Sequence, residues 1–444
     1  MPRFPTRPSA SSRFTPLRLS REAALWKRPR RRRGDQPAVL FVGQSYYHGW
    51  YLSRELRRLG WRADVLDFDH NVSGTSFYHG HDFALPPGGP EVVPAHLDFL
   101  EYALDSYDVF HFSNAHALAF GFQLRAHFAE LYHEGAEIEL LRAHGKKIVY
   151  ANNGCLDGVA QSSFARWDAV PACDSCPFQH RPEICSDERN LAWGAFRNRM
   201  ADVQVTTGGN RADFNNDARV HDVPQFYCLD PEVWSSDLMV PTNYRVPIPE
   251  ATIKLYHAVG NLELRRGVGG RNLKGTHVFM AVADRLKQQG LDVELMFFHD
   301  VPSQKIRYYQ AQADIVLDQL TIGWFGANGR ESLMLGKPVV CWLRPSWLDQ
   351  VARQLPDYVE ELPVVSATEE TVEDAVRELA QSPTRRRELG ERGRAFAVKW
   401  HSARAGARRM DELYRRVLDD QPIPDAPVEP PALVGVHESE TQPC

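Results

Sequence analysis

Residues 313–343, ADIVLDQLTIGWFGANGRESLMLGKPVVCWL, hold two short apolar runs around a glycine-punctuated loop and a helix-like segment with one carboxylate, Glu331. Ile315, Val316 and Leu317 form an apolar run ending in polar Asp318 and Gln319, the pattern of a short buried strand. Residues 338–343 read as the next strand. Between them, Gly323, Gly326 and Gly329 let the backbone approach a ligand and leave amide donors free at a helix start, where the helix dipole favours phosphate. In an open parallel sheet the ligand crevice lies beyond the C-terminal ends of the strands, which is where this loop falls.

Upstream, residues 252–258 (TIKLYHA) read as another strand. A Gly-rich insertion follows, then Arg271-Asn272-Leu273-Lys274-Gly275-Thr276, then a helix with Val278, Phe279, Val282 and Leu286 at helical spacing. Residues 292–298 give a further buried strand. Strand and helix alternate from residue 252 to about 380, as a doubly wound sheet requires.

The 313–343 stretch resembles the donor-site signature of retaining GT-B glycosyltransferases of the large group-1, or family 4, class. There, two glutamates eight positions apart flank a glycine-containing loop, before a helix and a Gly-x-Pro-Val strand. Glu331 stands at the second glutamate and Gly336-Lys337-Pro338-Val339-Val340 at the strand entry, while the first glutamate position holds Gly323. The resemblance implies an α/β GT-B fold, two Rossmann-like doubly wound domains facing a cleft, and transfer of a sugar from a nucleotide-diphosphate donor, with retention. It puts Glu331 on the ribose, Arg271 and Lys274 on the diphosphate, and Gly326, Asn328 and Gly329 along the loop. Arg265 and Arg266 are alternates for Arg271, because the insertion at 262–270 leaves the register open. Preorganised cations stabilise a diphosphate as charge builds on it, so no catalytic metal is expected. Gly323 removes the carboxylate that would touch the donor sugar. Two other readings share the scaffold: a nucleotide-sugar hydrolase or epimerase, and a catalytically silent nucleotide-sugar-binding protein.

The N-terminal domain is expected to span residues 37–240. Residues 38–42 read as a buried strand, 43–49 (GQSYYHG) as a loop, and Tyr51, Leu52, Leu56 and Leu59 as one face of a helix closed by Gly60; a strand at 63–68 completes a βαβ unit. By the resemblance, this loop faces the acceptor side of the cleft with Tyr46, Tyr47 and His48 exposed. Residues 108–112 (DVFHF) resemble the family's histidine-bearing strand, with His111 in it and His116 after it. Residues 145–151 (GKKIVYA) lead into Asn152-Asn153-Gly154-Cys155, with Asn153 where relatives often carry histidine. An amide can hydrogen-bond there but cannot shuttle a proton. The acceptor-side set is thus Tyr47, His48, His111 and Asn153, facing a glycan, lipid or small-molecule acceptor.

Cys173, Cys176 and Cys185 sit in one polar segment (CDSCPFQHRPEIC), with Cys155 upstream, so residues 155–185 form a Cys-rich insertion. Four thiolates including one CxxC pair could hold a structural zinc, with His180 as an alternative fourth ligand. Free or redox-active thiols, an iron–sulfur cluster and disulfides are the competing readings.

Length fits two domains: 444 residues with 43% hydrophobic content exceed what one core usually supports. A net charge of -5 gives no global basic field for nucleic acid. No apolar run reaches membrane-spanning length and the N-terminus lacks a signal-peptide core, so a cytoplasmic location is expected. Residues 1–36 are rich in Arg, Pro and Ser and end in a basic block, the composition of a disordered tail able to touch anionic lipid peripherally. Proline punctuates a linker at 241–251, the donor domain spans 252–400, residues 401–420 read as a helix packing back across both domains, and 421–444 as a second disordered tail.

Overall fold

The computed structural model describes residues 16–28, 36–43, 46–68, 79–113, 118–152, 154–155, 157–166, 172–207, 211–267 and 270–424. Seven strands form the N-terminal sheet: β1 (Ala38–Val42), β2 (Arg62–Asp67), β3 (Phe83–Ala84), β4 (Val109–Phe112), β5 (Lys147–Ala151), β6 (Val203–Thr206) and β7 (Val220–Asp222). Their order is β3-β2-β1-β4-β5-β6-β7, every pairing parallel. The central strand β1 is apolar at each of its positions and wholly buried, because helices cover both faces of a parallel sheet. A five-stranded parallel sheet follows: β8 (Ile253–Val259), β9 (Val293–His299), β10 (Ile315–Leu317), β11 (Val339–Cys341) and β12 (Val365–Ser366), in the order β12-β11-β10-β8-β9.

Each sheet reverses its strand order once, between β1 and β4 in the first and between β8 and β10 in the second. At such a point neighbouring loops leave the sheet in opposite directions and open a crevice beyond the strand ends. Both crevices bear on one interdomain cleft.

The chain returns across the domains at its C-terminal end. Helix Pro383–His401 packs on helix Ala327–Met334, and helix Ala403–Leu418 packs on His48–Arg58 of the N-terminal domain. The turn between them is pinned to the interdomain crossover, with Leu229 N donating to His401 O at 2.7 Å and Ala403 N donating to Leu229 O at 2.7 Å. Ser402 caps the last helix through its side chain, accepting from Ala405 N.

One part of the expected disordered tail departs from that reading: Pro16–Lys27 is a helix docked on the N-terminal domain, while residues 1–15 lie outside the described residues. Leu25 is buried in that domain's core, and Glu22 is buried against His127 Nε2 at 2.6 Å. Arg21 pairs with Asp98, and Arg28 with Glu101. Arg21 and Arg28 therefore meet acidic groups of a neighbouring helix, and Leu25, with Trp26 packed against the same core, holds the segment. Residues 29–35 of the basic block and 425–444 lie outside the described residues. Among the described residues no helix is long and apolar enough to cross a membrane.

Candidate functional site

A cavity of about 570 Å³ lies between the domains, within the usual range for small-ligand sites. Its walls come from beyond the C-terminal ends of β5 and β6 on one side and of β8, β9 and β10 on the other.

On the C-terminal wall, Lys274 follows β8 and Asp318 follows β10, so the strand reversal brings them together. Lys274 Nζ donates to Asp318 Oδ1 at 2.7 Å. Asp318 is wholly buried, and its carboxylate also accepts from Gly326 N at 2.9 Å and Asn328 Nδ2 at 3.4 Å. Burial alone would raise its pKa, but the charge and hydrogen bond of Lys274 and the Gly326 amide hold it below the usual carboxylate value. One carboxylate thus fixes both the lysine and the entry to helix Ala327–Met334. Gln319 ties down the intervening loop: its amide oxygen accepts from Thr321 N at 2.9 Å and Ile322 N at 2.8 Å.

Glu331 is only 5% exposed. Tyr47, from the N-terminal domain, donates its hydroxyl to Glu331 Oε1 at 2.6 Å, and Gln310 Nε2 donates to Oε2 at 2.7 Å. Burial raises the Glu331 pKa despite these donors, and burial followed by the Glu331 charge raises that of Tyr47. Lys274, Gly326, Asn328 and Glu331 all line the cavity; Gly329 is buried just behind, where a Cβ would come 3.0 Å from that of Phe325.

Arg271 stands apart. Its side chain faces solvent and is not among the cavity-lining residues, while Arg265 from the preceding turn is. Gly323, at the altered glutamate position, has φ +91°, and a Cβ there would lie 2.7 Å from that of Arg344. The loop as folded therefore has no room for a glutamate, or for any side chain, at that position.

On the N-terminal side, Tyr46 lines the cavity, but Tyr47 and His48 are buried, which corrects the expectation that they are exposed. Tyr47 is turned onto Glu331, and His48 Nδ1 lies 3.1 Å from Cys228 O. Burial lowers the pKa of His48 to about 3. His111 is likewise buried and outside the cavity lining, stacked between Phe41 and Phe226, with Nδ1 2.6 Å from the Tyr414 hydroxyl. A histidine on a central strand meets the helix that packs back over it, not solvent. Asn153 and His116 lie outside the described residues.

The Cys-rich segment forms part of the cleft wall through Cys155, Ala172 and Phe178. It also reaches the C-terminal domain, where the Ser175 carbonyl abuts Gly267 so closely that a Cβ would fall 2.1 Å from the oxygen. Cys155, Cys173, Cys176 and Cys185 are free thiols. Burial, then Cys176, Cys185 and Cys173, push Cys155 up to about 12; burial, then Cys176 and Cys185, push Cys173 up to about 11. Cys155 is exposed as a residue, yet its thiol is crowded by protein. Phe178 N donates to Cys176 Sγ at 3.4 Å, and Asn190 Nδ2 to Cys185 Sγ at 3.8 Å. The sulfurs are thus near enough to oppose one another's ionisation. Among the described residues, however, no group of three or more His, Cys, Asp or Glu side chains is arranged to hold a metal ion, so the zinc expectation gains no support.

Three contributors escaped the sequence reading. Asp318 left a faint signal, a lone carboxylate closing an apolar strand. Gln310 left none, because its relation to Glu331 is tertiary. Arg330 was masked by its neighbour Glu331; it is 7% exposed and lines the cavity.

Two parallel, doubly wound domains, a cleft at both strand reversals and a C-terminal helix crossing back define the GT-B fold. Solved structures agree. Sucrose-phosphate synthase from Thermosynechococcus elongatus aligns over 87% of this chain and 100% of its own, at 14% identity and a TM-score of 0.51. A glycosyltransferase from Rickettsia africae ESF-5 aligns over 87% and 100%, at 10% identity and a TM-score of 0.53. At such identities the likeness is one of fold. No protein-family model matches the sequence, and no curated protein sequence does.

Proposed function

We propose that this chain is a glycosyltransferase that moves a sugar from a nucleotide-diphosphate donor to the hydroxyl of a glycan, lipid or small molecule, with retention. The observation that carries the reading is the gathering of Lys274, Glu331 and the start of helix Ala327–Met334 on one wall of the interdomain cleft. Each part has a physical task. Glu331 offers two carboxylate oxygens to the ribose hydroxyls. Lys274 uses one N–H on Asp318, and its remaining N–H groups face the departing diphosphate. The free amides at the helix start add a fixed positive end where phosphate charge develops. In the retaining mechanism the leaving phosphate takes the acceptor proton, so a buried, neutral His48 or His111 is no obstacle.

The test incubates the protein with UDP-, GDP- and ADP-sugars, following nucleotide release and thermal shift. Release by the wild type that falls at least about tenfold in Lys274→Ala is expected, the loss of roughly one charge-assisted contact to the transition state. Stabilisation by diphosphates with no turnover, unchanged in Lys274→Ala, would instead favour the silent binding protein.

A further inference from the structure

Arg330 lies one residue before Glu331 on helix Ala327–Met334, lines the cleft and is more than nine-tenths buried. Among the described residues its guanidinium makes no ion pair and no hydrogen bond, and its Nε is buried without a partner. Most groups in its field are neutral: the Tyr227 ring, 5.4 Å from the guanidinium carbon, Tyr358, and the histidines His48 and His401; the one carboxylate that feels its charge is Glu331, with which it makes neither an ion pair nor a hydrogen bond. Burial first, and Arg330 second, hold both histidines in the uncharged form. Glu331, the adjacent carboxylate, is engaged by Tyr47 and Gln310 instead. A guanidinium carries its charge at any physiological pH, and burying one without a counter-ion is costly. The opposite wall here is built from Asn152, Thr206 and Tyr227, which bring no negative charge. Meanwhile Asp318 is already paired with Lys274, and the carboxylate expected at position 323 is absent, so neither serves Arg330. Among the described residues, the cleft therefore holds a guanidinium with no hydrogen-bonded or ion-paired counter-ion.

We propose that Arg330 is an anion-recognition residue, and that its partner is a phosphate or carboxylate of the bound substrate. This deepens the nucleotide-sugar reading and rests on it for the source of the anion: either the donor diphosphate, or a carboxylate on the transferred sugar, as in a uronic acid. A planar guanidinium accommodates both in bidentate fashion. The side chain is built into a wall of the site, so its role is to select a substrate with negative charge at that place.

Calorimetric titrations and melting curves of the wild type, Arg330→Met and Arg330→Lys, with inorganic pyrophosphate, UDP-glucose and UDP-glucuronate, test the proposal. Two results support it. Pyrophosphate affinity at least about tenfold weaker in Arg330→Met assigns the diphosphate; a wild-type preference for UDP-glucuronate over UDP-glucose that collapses in Arg330→Met assigns the sugar carboxylate. Arg330→Lys should fall between, and ligand-free Arg330→Met should melt at or above the wild-type temperature, since an uncompensated charge has been removed. Equal binding of all three ligands by wild type and Arg330→Met overturns the proposal. Loss of fold in both variants also overturns it, since the arginine then serves packing. If pyrophosphate binding depends on Arg330 but neither nucleotide sugar binds or turns over, the anion site stands and the nucleotide-sugar reading falls.

Discussion

Replacing Tyr47 with phenylalanine removes one oxygen and little else, and that oxygen joins the two domains across the cleft. The hydroxyl donates to Glu331 Oε1 at 2.6 Å in a wholly buried setting, leaving Gln310 as the other donor to that carboxylate. A hydrogen bond to a charged group contributes about 1.5–3 kcal/mol net. The ligand-free variant should lose stability of that order at pH 7. The sign of the pH dependence follows from Glu331, whose folded-state pKa is raised by burial. With one donor fewer it rises further, so the difference between variant and wild type is largest at neutral pH and above. It shrinks as pH falls through the raised pKa and the carboxyl becomes protonated. Nucleotide binding should change in the opposite sense. If the ribose must take Glu331 from Tyr47, the wild type forfeits that bond on binding and Tyr47→Phe does not. The same energy becomes roughly 10- to 150-fold tighter affinity for a nucleoside diphosphate. Urea denaturation at pH 5 and 7.5, with calorimetric titration of UDP, GDP and ADP, measures both halves. Lower stability with unchanged or weaker nucleotide affinity would refute the competition and leave Tyr47 a purely structural tether.

Two further outcomes follow from other parts of the chain. Gly323→Ala combines a left-handed backbone with a Cβ 2.7 Å from that of Arg344, so it should cost about 2–4 kcal/mol in chemical denaturation; a cost below about 1 kcal/mol would show that the loop yields easily. Burial lowers the His111 pKa from 6.5 to about 3, so the unfolded chain takes up this proton first and stability is lost as pH falls from 6.5 towards 3, by about 2 kcal/mol at pH 5. His111→Phe, which keeps the stack with Phe41 and Phe226, should show a correspondingly smaller drop between pH 7.5 and pH 5; an unchanged drop would contradict the buried neutral state.

The fold was legible where burial is uniform. The apolar runs that became β1, β10 and β11 stand out because a strand covered on both faces has no polar alternation to blur it, whereas β8 and β9, partly exposed, were legible from their length and their apolar majority. The two- and three-residue strands β3, β7 and β12 gave no such run, since they are short edge strands fixed by their one neighbour. Helix Pro16–Lys27 was hidden by the arginines in and just after it, such as Arg21 and Arg28, whose partners Asp98 and Glu101 lie on a helix some seventy residues later. In the site, Lys274, Glu331 and the loop glycines were visible because they flank strands in a fixed order. The partners that set their chemistry were not: Gln310, Tyr47 and Arg344 meet them only through tertiary packing. Arg271 and the residues at 46–48 show the converse, where sequence position identified the loop but not the direction of the side chain.

The proposed transferase must bind a nucleoside diphosphate on the C-terminal wall of the cleft. A crystal structure of the chain with the diphosphate that stabilises it most tests this directly. Ribose hydroxyls are expected on Glu331, with Tyr47 released from it, and the diphosphate between Lys274 Nζ and the amides at the start of helix Ala327–Met334. A nucleotide bound elsewhere, with the Tyr47–Glu331 hydrogen bond intact, would contradict it.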